Sequence, residues 1–145
     1  MVDVMTATIE ILAVLLAGTL VGSEFAVAAF LHPIVGRLPA EGFQAARSDS
    51  ARLLGRVMPF WYLTTLALML VAVVIDPGPQ RWFIGAGVGL MAVVVLLTVT
   101  MMVPVNNRIA AGEVSPPLVT RWDRLHWVRV ALLGAVLVLL VVASA

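Results

Sequence analysis

Glu24 and His32 lie in the first long apolar stretch of this chain, where ionisable side chains are rare. If the stretch is a membrane-spanning helix, Glu24 lies ~13 Å inside a ~30 Å hydrocarbon core, counted back from Pro33. The spacing of the two residues rotates them only ~80° apart around a helix, so both are able to face one cavity. A charge buried at this depth must be paired or protonated, and an ionisable residue inside a membrane span is a functional candidate by default. Glu24 is therefore predicted to be functional. The alternative is a structural glutamate, protonated against a neighbouring helix or paired with Arg129.

A second group of polar residues opens the last apolar stretch. Trp122, His126 and Arg129 follow an i, i+4, i+7 spacing and share one helical stripe. Asp123 is able to hydrogen-bond His126, which would fix the imidazole tautomer. We predict His126, Glu24 and Arg129 as catalytic residues, and Trp122 and Asp123 as substrate-binding residues. An interfacial belt of tryptophan and arginine is the alternative, but it does not explain an inward-pointing Arg129.

Asn106 and Asn107 follow the third apolar stretch, directly after Pro104 and Val105. Asparagine is favoured at helix C-termini, and its amide is equally suited to line a substrate pocket. The two residues are therefore predicted either to cap the helix or to bind substrate.

A metal site is a further interpretation of the same residues. Glu24, His32 and His126 would supply one carboxylate and two imidazoles, a set that suits Zn, Fe or Cu. The cofactor is predicted to be either absent or one such divalent metal. The chain has no cysteine, which excludes thiolate sites and disulfides. It also lacks a glycine-rich phosphate-binding loop and a dinucleotide fingerprint.

The composition of the chain predicts the fold that must position these residues. The chain has 145 residues, is 62% hydrophobic and has a mean hydropathy of +1.09, which a soluble domain of this size cannot bury. We predict an all-α fold, a four-helix transmembrane bundle forming one domain over 1–145. Its spans are predicted at 11–31, 58–75, 82–103 and 125–145. A short amphipathic interfacial helix is predicted over 41–57, and a polar loop over 104–124.

The arginines predict the orientation of the bundle. Eight of nine lie on one side of the apolar stretches, and only Arg81 lies on the other. By the positive-inside rule, the arginine-rich loops are cytoplasmic and both termini are outside, in the cytoplasmic (inner) membrane of a bacterium. The predicted partners are the lipid bilayer and a lipophilic small molecule. The net charge of +1 argues against nucleic acid. Small residues such as Gly18 and Gly22 favour packing within the bundle over a homo-oligomer contact.

Over nearly its whole length the chain resembles the anthrone oxygenase-like family of small four-span membrane proteins. The resemblance rests on Gly18-x-x-x-Gly22 leading to His32-Pro33, on Pro104-Val105-Asn106-Asn107-Arg108, and on Trp122, His126 and Arg129. Members of that family oxidise anthrones to anthraquinones with molecular oxygen. The resemblance implies roles for Asn107, His126 and Arg129, whereas Glu24 and His32 belong to a pattern found in part of the family.

Three functions follow from these observations. The first is a membrane-embedded oxidoreductase that acts on a lipophilic aromatic or quinone-like substrate in a polar pocket at the cytoplasmic side. The second is a small proton-relay or transport protein that uses Glu24 and His32. The third is a non-catalytic membrane assembly or lipid-binding module, for which the amphipathic segment 41–57 would serve.

Overall fold

The computed structural model of the chain describes the backbone of residues 2–144 and the side chains of residues 4–144. It consists of helices throughout, and no strand occurs in the described part. The elements are α1 (Val2–Ala26), π1 (Val27–Leu31), α2 (His32–Val35), α3 (Ala40–Ile75), α4 (Arg81–Leu97), π2 (Thr98–Met102), α5 (Val103–Ala110) and α6 (Pro116–Ala143). They join into four continuous rods that are long and apolar enough to cross a membrane. The predicted all-α class and four spans are confirmed.

The four rods pack around a core that excludes polar side chains over most of its length. α6 packs against α1 and α4, while α3 packs against α1, α4 and α5. Leu20, Met69, Met91 and Leu133, one from each rod, are fully buried. Large apolar side chains such as Phe60 also cover the outside, as expected of helices that face lipid.

Two of the rods contain a π turn directly before a proline. π1 ends two residues before Pro33, and π2 ends two residues before Pro104. Proline lacks an N–H, and its ring collides with the carbonyl four residues back. A wider π turn is one way for a helix to continue past that collision. The first rod was expected to end at Pro33 and a polar loop to follow Pro104, but the helices continue to Val35 and Ala110.

The segment 41–57 is helical but is not a separate interfacial helix. It forms the first part of α3, which runs through Pro59 without ending. Two of its side chains bind the end of α5: Gln44 Nε2 donates to the Gly112 carbonyl at 3.2 Å, and Arg52 Nε donates to the Ala110 carbonyl at 3.1 Å. These contacts fix the segment to the third connection, which is only residues 111–115. The helix thus continues across the predicted boundary between 57 and 58, and the interfacial position of 41–57 stays a prediction.

Candidate functional site

The carboxylate of Glu24 is the centre of a buried hydrogen-bond network. Glu24 lies near the end of α1 and is 1% exposed. Its Oε1 accepts a hydrogen bond from the Tyr62 hydroxyl of α3 at 2.7 Å. Its Oε2 lies 2.6 Å from Arg129 Nη2 and 2.8 Å from His126 Nε2, both of α6. Two helices, α3 and α6, thus supply the partners of one carboxylate on α1.

α6 presents His126 and Arg129 together because residues three apart lie on the same side of a helix. His126 is 1% exposed and Arg129 is 6% exposed. Burying either charge of the Glu24–Arg129 pair alone would be very unfavourable in an apolar interior, so each requires the other. The guanidinium also lies 5.5 Å from the centre of the Tyr62 ring, which places the tyrosine against both members of the pair.

Asp123 forms a second cluster closer to the arginine-rich end of the bundle, the end that contains residues 36–39 and 111–115. Arg47 donates to both carboxylate oxygens of Asp123, at 2.8 and 3.3 Å. His32 Nδ1 lies 3.0 Å from Asp123 Oδ1, close enough for an ion pair but without the alignment of a hydrogen bond. The predicted Asp123–His126 hydrogen bond is wrong, since Asp123 binds His32 and Arg47 instead.

Trp122 organises this second cluster. Its ring lies 4.9 Å from the His32 ring, and the Arg47 guanidinium lies 5.5 Å from its centre. Arg47 is buried, whereas six other arginines at this end are exposed: Arg37, Arg52, Arg56, Arg108, Arg121 and Arg124. Among the exposed ones, Arg108 hydrogen-bonds Glu113 and so lowers the pKa of that carboxyl. Arg47 is therefore a site residue rather than one more lipid-facing cation.

The two histidines bring the clusters into contact. The rings of His32 and His126 are 5.0 Å apart and nearly perpendicular. The predicted metal site is nevertheless not formed, because Glu24 and His126 bond each other directly while His32 pairs with Asp123. No group of three or more histidine, aspartate or glutamate side chains suited to a metal ion occurs among the described residues.

A cavity of about 170 Å³ lies beside the Glu24 network, between α3 and the rod that contains π2. Its wall is mostly apolar, but Tyr62 and Arg129 reach it from the network. The lining residues are Leu54, Gly55, Met58, Pro59, Tyr62, Leu63, Val95, Thr98, Val99, Met102, Val103, Asn106, Trp122 and Arg129. Leu63 and Val99 also face outward, 58% and 59% exposed, so the cavity opens toward the lipid side of the bundle.

The predicted substrate-binding residues separate into two groups. Asn106 and Trp122 line the cavity, and Asn106 also donates to the Ala51 carbonyl of α3 at 3.0 Å. Asn107 is exposed and does not line the cavity, and Asp123 lies behind Trp122 in the second cluster. Neither asparagine side chain caps the helix, since the asparagines lie inside α5.

Sequence reasoning missed Tyr62 as a site residue. Tyr62 is the only tyrosine of the chain and lies within an otherwise apolar span. A buried tyrosine hydroxyl needs a hydrogen-bond partner, so this isolation was a usable signal for a buried polar neighbour.

A comparison with protein-family models finds a match to the model described as anthrone oxygenase, over residues 7–139. The match includes all of the residues that form the Glu24 network, the Asp123 cluster and the cavity. No curated protein and no solved structure matches the chain.

Proposed function

Because the chain belongs to the anthrone oxygenase family, we propose that it is a membrane-embedded oxidoreductase acting on a lipophilic aromatic substrate of the anthrone type. The observation that carries this proposal is the cavity wall. Tyr62 and Arg129 are polar groups in an apolar cavity, and both are held by the buried Glu24. Small-molecule sites commonly combine an apolar lining with a few fixed polar groups of this kind.

The proposed reaction converts a ring methylene into a carbonyl. A base removes one proton from the methylene carbon and leaves an enolate, which transfers electrons to molecular oxygen as the carbon–oxygen bond forms. The resulting hydroperoxide then loses water. One oxygen atom stays on the carbon as the new carbonyl, and the other leaves with the two methylene hydrogens as water, so substrate and oxygen supply every atom.

The residues of the network have separate roles in this scheme. The Tyr62 oxygen takes the substrate proton while its own proton passes to Glu24 Oε1, 2.7 Å away. Arg129 stabilises the negative oxygen of the enolate, since its guanidinium reaches the same wall. His126 positions Glu24, because its Nε2 contacts both the side chain and the backbone carbonyl of that residue.

The open side of the cavity favours a substrate that arrives from lipid. Leu63 and Val99 flank the opening, and both are apolar residues within predicted spans. A lipophilic ring system dissolved in the bilayer would enter between α3 and π2 without crossing water. This geometry supports the proposal that the substrate partitions into the membrane.

Oxygen uptake and anthraquinone absorbance with purified protein in lipid nanodiscs test the function. We expect wild-type turnover of an anthrone, and a loss of about 10²-fold or more in Tyr62→Phe, because the phenol no longer accepts the substrate proton. Arg129→Lys should lose a comparable factor, since lysine does not reproduce the guanidinium geometry.

The matched control is Phe60→Leu, which lies two residues from Tyr62 on α3 but faces outward. It should keep wild-type turnover. Absence of any oxygen consumption by the wild-type protein with anthrones would contradict the proposed activity, and full turnover in Tyr62→Phe would contradict the role of the tyrosine.

A further inference from the structure

We propose that Asp123, His32 and His126 form a proton-transfer route from the arginine-rich end of the bundle to Glu24. The route rests on the proposed function only at its inner end, where Glu24 exchanges protons with the cavity through Tyr62. The contacts that define it run through α1, α2 and α6 and do not depend on the identity of the substrate.

The outer end of the route is accessible to solvent. The Asp123 side chain is 32% exposed, whereas the His32 side chain beside it is 6% exposed. The 3.0 Å contact places His32 Nδ1 against a carboxylate oxygen, and the negative charge of that oxygen favours the neutral tautomer with its proton on Nδ1. Asp123 is therefore the group through which His32 exchanges protons with the surface.

At the inner end of the route, a histidine nitrogen again lies against a carboxylate, but here the nitrogen is Nε2 of His126 instead of Nδ1. His126 Nε2 faces two acceptors, the Glu24 carboxylate at 2.8 Å and the Glu24 carbonyl at 3.0 Å. Because neither oxygen is a donor when Glu24 is ionised, Nε2 must carry the proton of a neutral His126. The proton on Nε2 is thus already placed for transfer to Glu24.

Each of the two neighbouring rings also has a buried nitrogen without a hydrogen-bond partner on the side away from its carboxylate contact. His32 Nε2 and His126 Nδ1 are both buried without a hydrogen bond. In the tautomers that the contacts with Asp123 and Glu24 favour, both atoms carry free lone pairs, and the centres of the two rings are 5.0 Å apart. A buried acceptor without a donor is unfavourable, so this pair is suited to accept one additional proton. When His32 Nε2 accepts a proton, the ring can release the proton on Nδ1, and the same exchange can run in the opposite direction. Each of the two rings can therefore relay a proton.

The surroundings of the two histidines allow a proton to pass but not to accumulate. The charged groups that face them are Asp123 and Arg47 at the outer end and Glu24 and Arg129 at the inner end. The arginine of each end offsets the carboxylate of that end. An additional proton on either histidine is therefore attracted toward a carboxylate at each end of the route. Neither carboxylate holds the proton at one position between them.

The route ends at the cavity and does not cross the bundle. Farther from the arginine-rich end, the buried interior consists of apolar side chains such as Ala17, Met69 and Leu133. Among the described residues, Thr65 and Asp76 are the buried polar side chains there. The Thr65 hydroxyl is bonded to the Trp61 carbonyl of its own helix, and Asp76 Oδ1 accepts a hydrogen bond from the Gly78 N–H at the far end of α3. The arrangement thus exchanges protons between one site and the arginine-rich end instead of carrying them from one membrane face to the other.

Exchange of the His126 Nε2 proton with water, measured by NMR on histidine-labelled protein in nanodiscs, tests the route without using activity. We expect His32→Phe, which keeps the ring against Trp122 but removes both nitrogens, to slow this exchange at least 10-fold. Trp127→Phe is the matched control. It changes an exposed aromatic residue beside His126 and should exchange at the wild-type rate.

Turnover provides the second measurement. In His32→Phe, kcat should fall about 10-fold or more with KM unchanged. If His32→Phe does not fold, Asp123→Asn takes its place, because an amide keeps the shape of the carboxylate but does not relay a proton. Equal exchange rates in wild type and in the variant would overturn the route. Slowed exchange in a protein that never oxidises anthrones would sustain the route and overturn the proposed function instead.

Discussion

At the residue scale, two carboxylates organise nearly all of the buried polar chemistry. Glu24 gathers Tyr62, His126 and Arg129, and Asp123 gathers His32 and Arg47. The depth of Glu24 and the inward position of Arg129 were readable from the sequence, because ionisable residues in apolar stretches are rare and need partners. Arg47 is one of the eight arginines from which the sequence predicted only the orientation of the bundle, and no sequence pattern distinguished it from the others.

Arg47→Met tests whether the buried arginine stabilises the fold. We expect the free energy of unfolding to fall by about 1–3 kcal/mol. This is less than the ~3–5 kcal/mol typical of breaking a fully buried pair, because Asp123 is partly exposed and keeps His32. Thermal unfolding in detergent, followed by circular dichroism, measures the change.

Arg56→Met is the control for that substitution. It removes an arginine from the same helix that is exposed and has no ion-pair partner among the described residues. Its unfolding midpoint should match wild type, and equal midpoints for Arg47→Met and Arg56→Met would show that the Asp123 pair adds no stability.

At the element scale, the two π turns place side chains around the site. π2 contributes Thr98, Val99 and Met102 to the cavity wall, and π1 lies between Glu24 and His32 on the first rod. π turns inside α-helices are frequent at functional sites. The prolines that accompany them were visible in the sequence but suggested helix ends, because a proline usually stops a helix whose neighbours do not support it.

The glycines differ in how closely another helix approaches them. A Cβ atom at Gly55 of α3 would lie 2.8 Å from Asn106 Nδ2 of α5, whereas one at Gly22 of α1 would meet nothing within 4 Å. Gly18 would meet only Leu137, at an ordinary 3.9 Å. The predicted Gly18-x-x-x-Gly22 packing thus does not require glycine within this chain, and a homo-oligomer contact there stays a prediction.

Gly55→Ala is expected to displace the Asn106 amide from the Ala51 carbonyl and to narrow the cavity that both residues line. The lost hydrogen bond costs about 1 kcal/mol, which the better helix propensity of alanine roughly offsets. The main effect should therefore be a KM several-fold higher for the anthrone, measured by oxygen uptake.

Gly22→Ala supplies the comparison, because its Cβ enters open space. It should leave KM unchanged and raise stability by at most about 1 kcal/mol. A wild-type KM in Gly55→Ala would mean that Asn106 moves aside without affecting the cavity.

At the scale of the whole molecule, the polar chemistry is concentrated toward one end of a long apolar bundle. Eight of nine arginines, both histidines and Asp123 belong to the half that contains residues 36–39 and 111–115. The positive-inside rule predicts that this half lies at the cytoplasmic face, and in that orientation the proton route would open to the cytoplasm.

Single cysteines test this orientation directly, since the chain has no cysteine of its own. Gln80→Cys and Ala111→Cys place exposed thiols in connections at opposite ends of the bundle. In intact cells, a membrane-impermeant maleimide should label Gln80→Cys at once and Ala111→Cys only after lysis. The reverse pattern would invert the orientation and place the arginine-rich end outside.

The sequence alone determined the class of the molecule and the ionisable residues of the inner site. Apolar runs of spanning length leave few alternatives to membrane helices, and a carboxylate inside one must find a partner. These inferences depend on local composition and on the helical repeat, so Glu24, His126 and Arg129 were found without coordinates.

Only the tertiary structure decided which residues meet. Side-chain pairing depends on the rotation of one helix against another, which the helical repeat within a single helix does not contain. That rotation placed Asp123 against His32 and Arg47 instead of His126, brought Tyr62 to Glu24, and left Asn107 outside the cavity. It also decided that α3 continues through Pro59, because contacts with α5 hold its first part in line with the span.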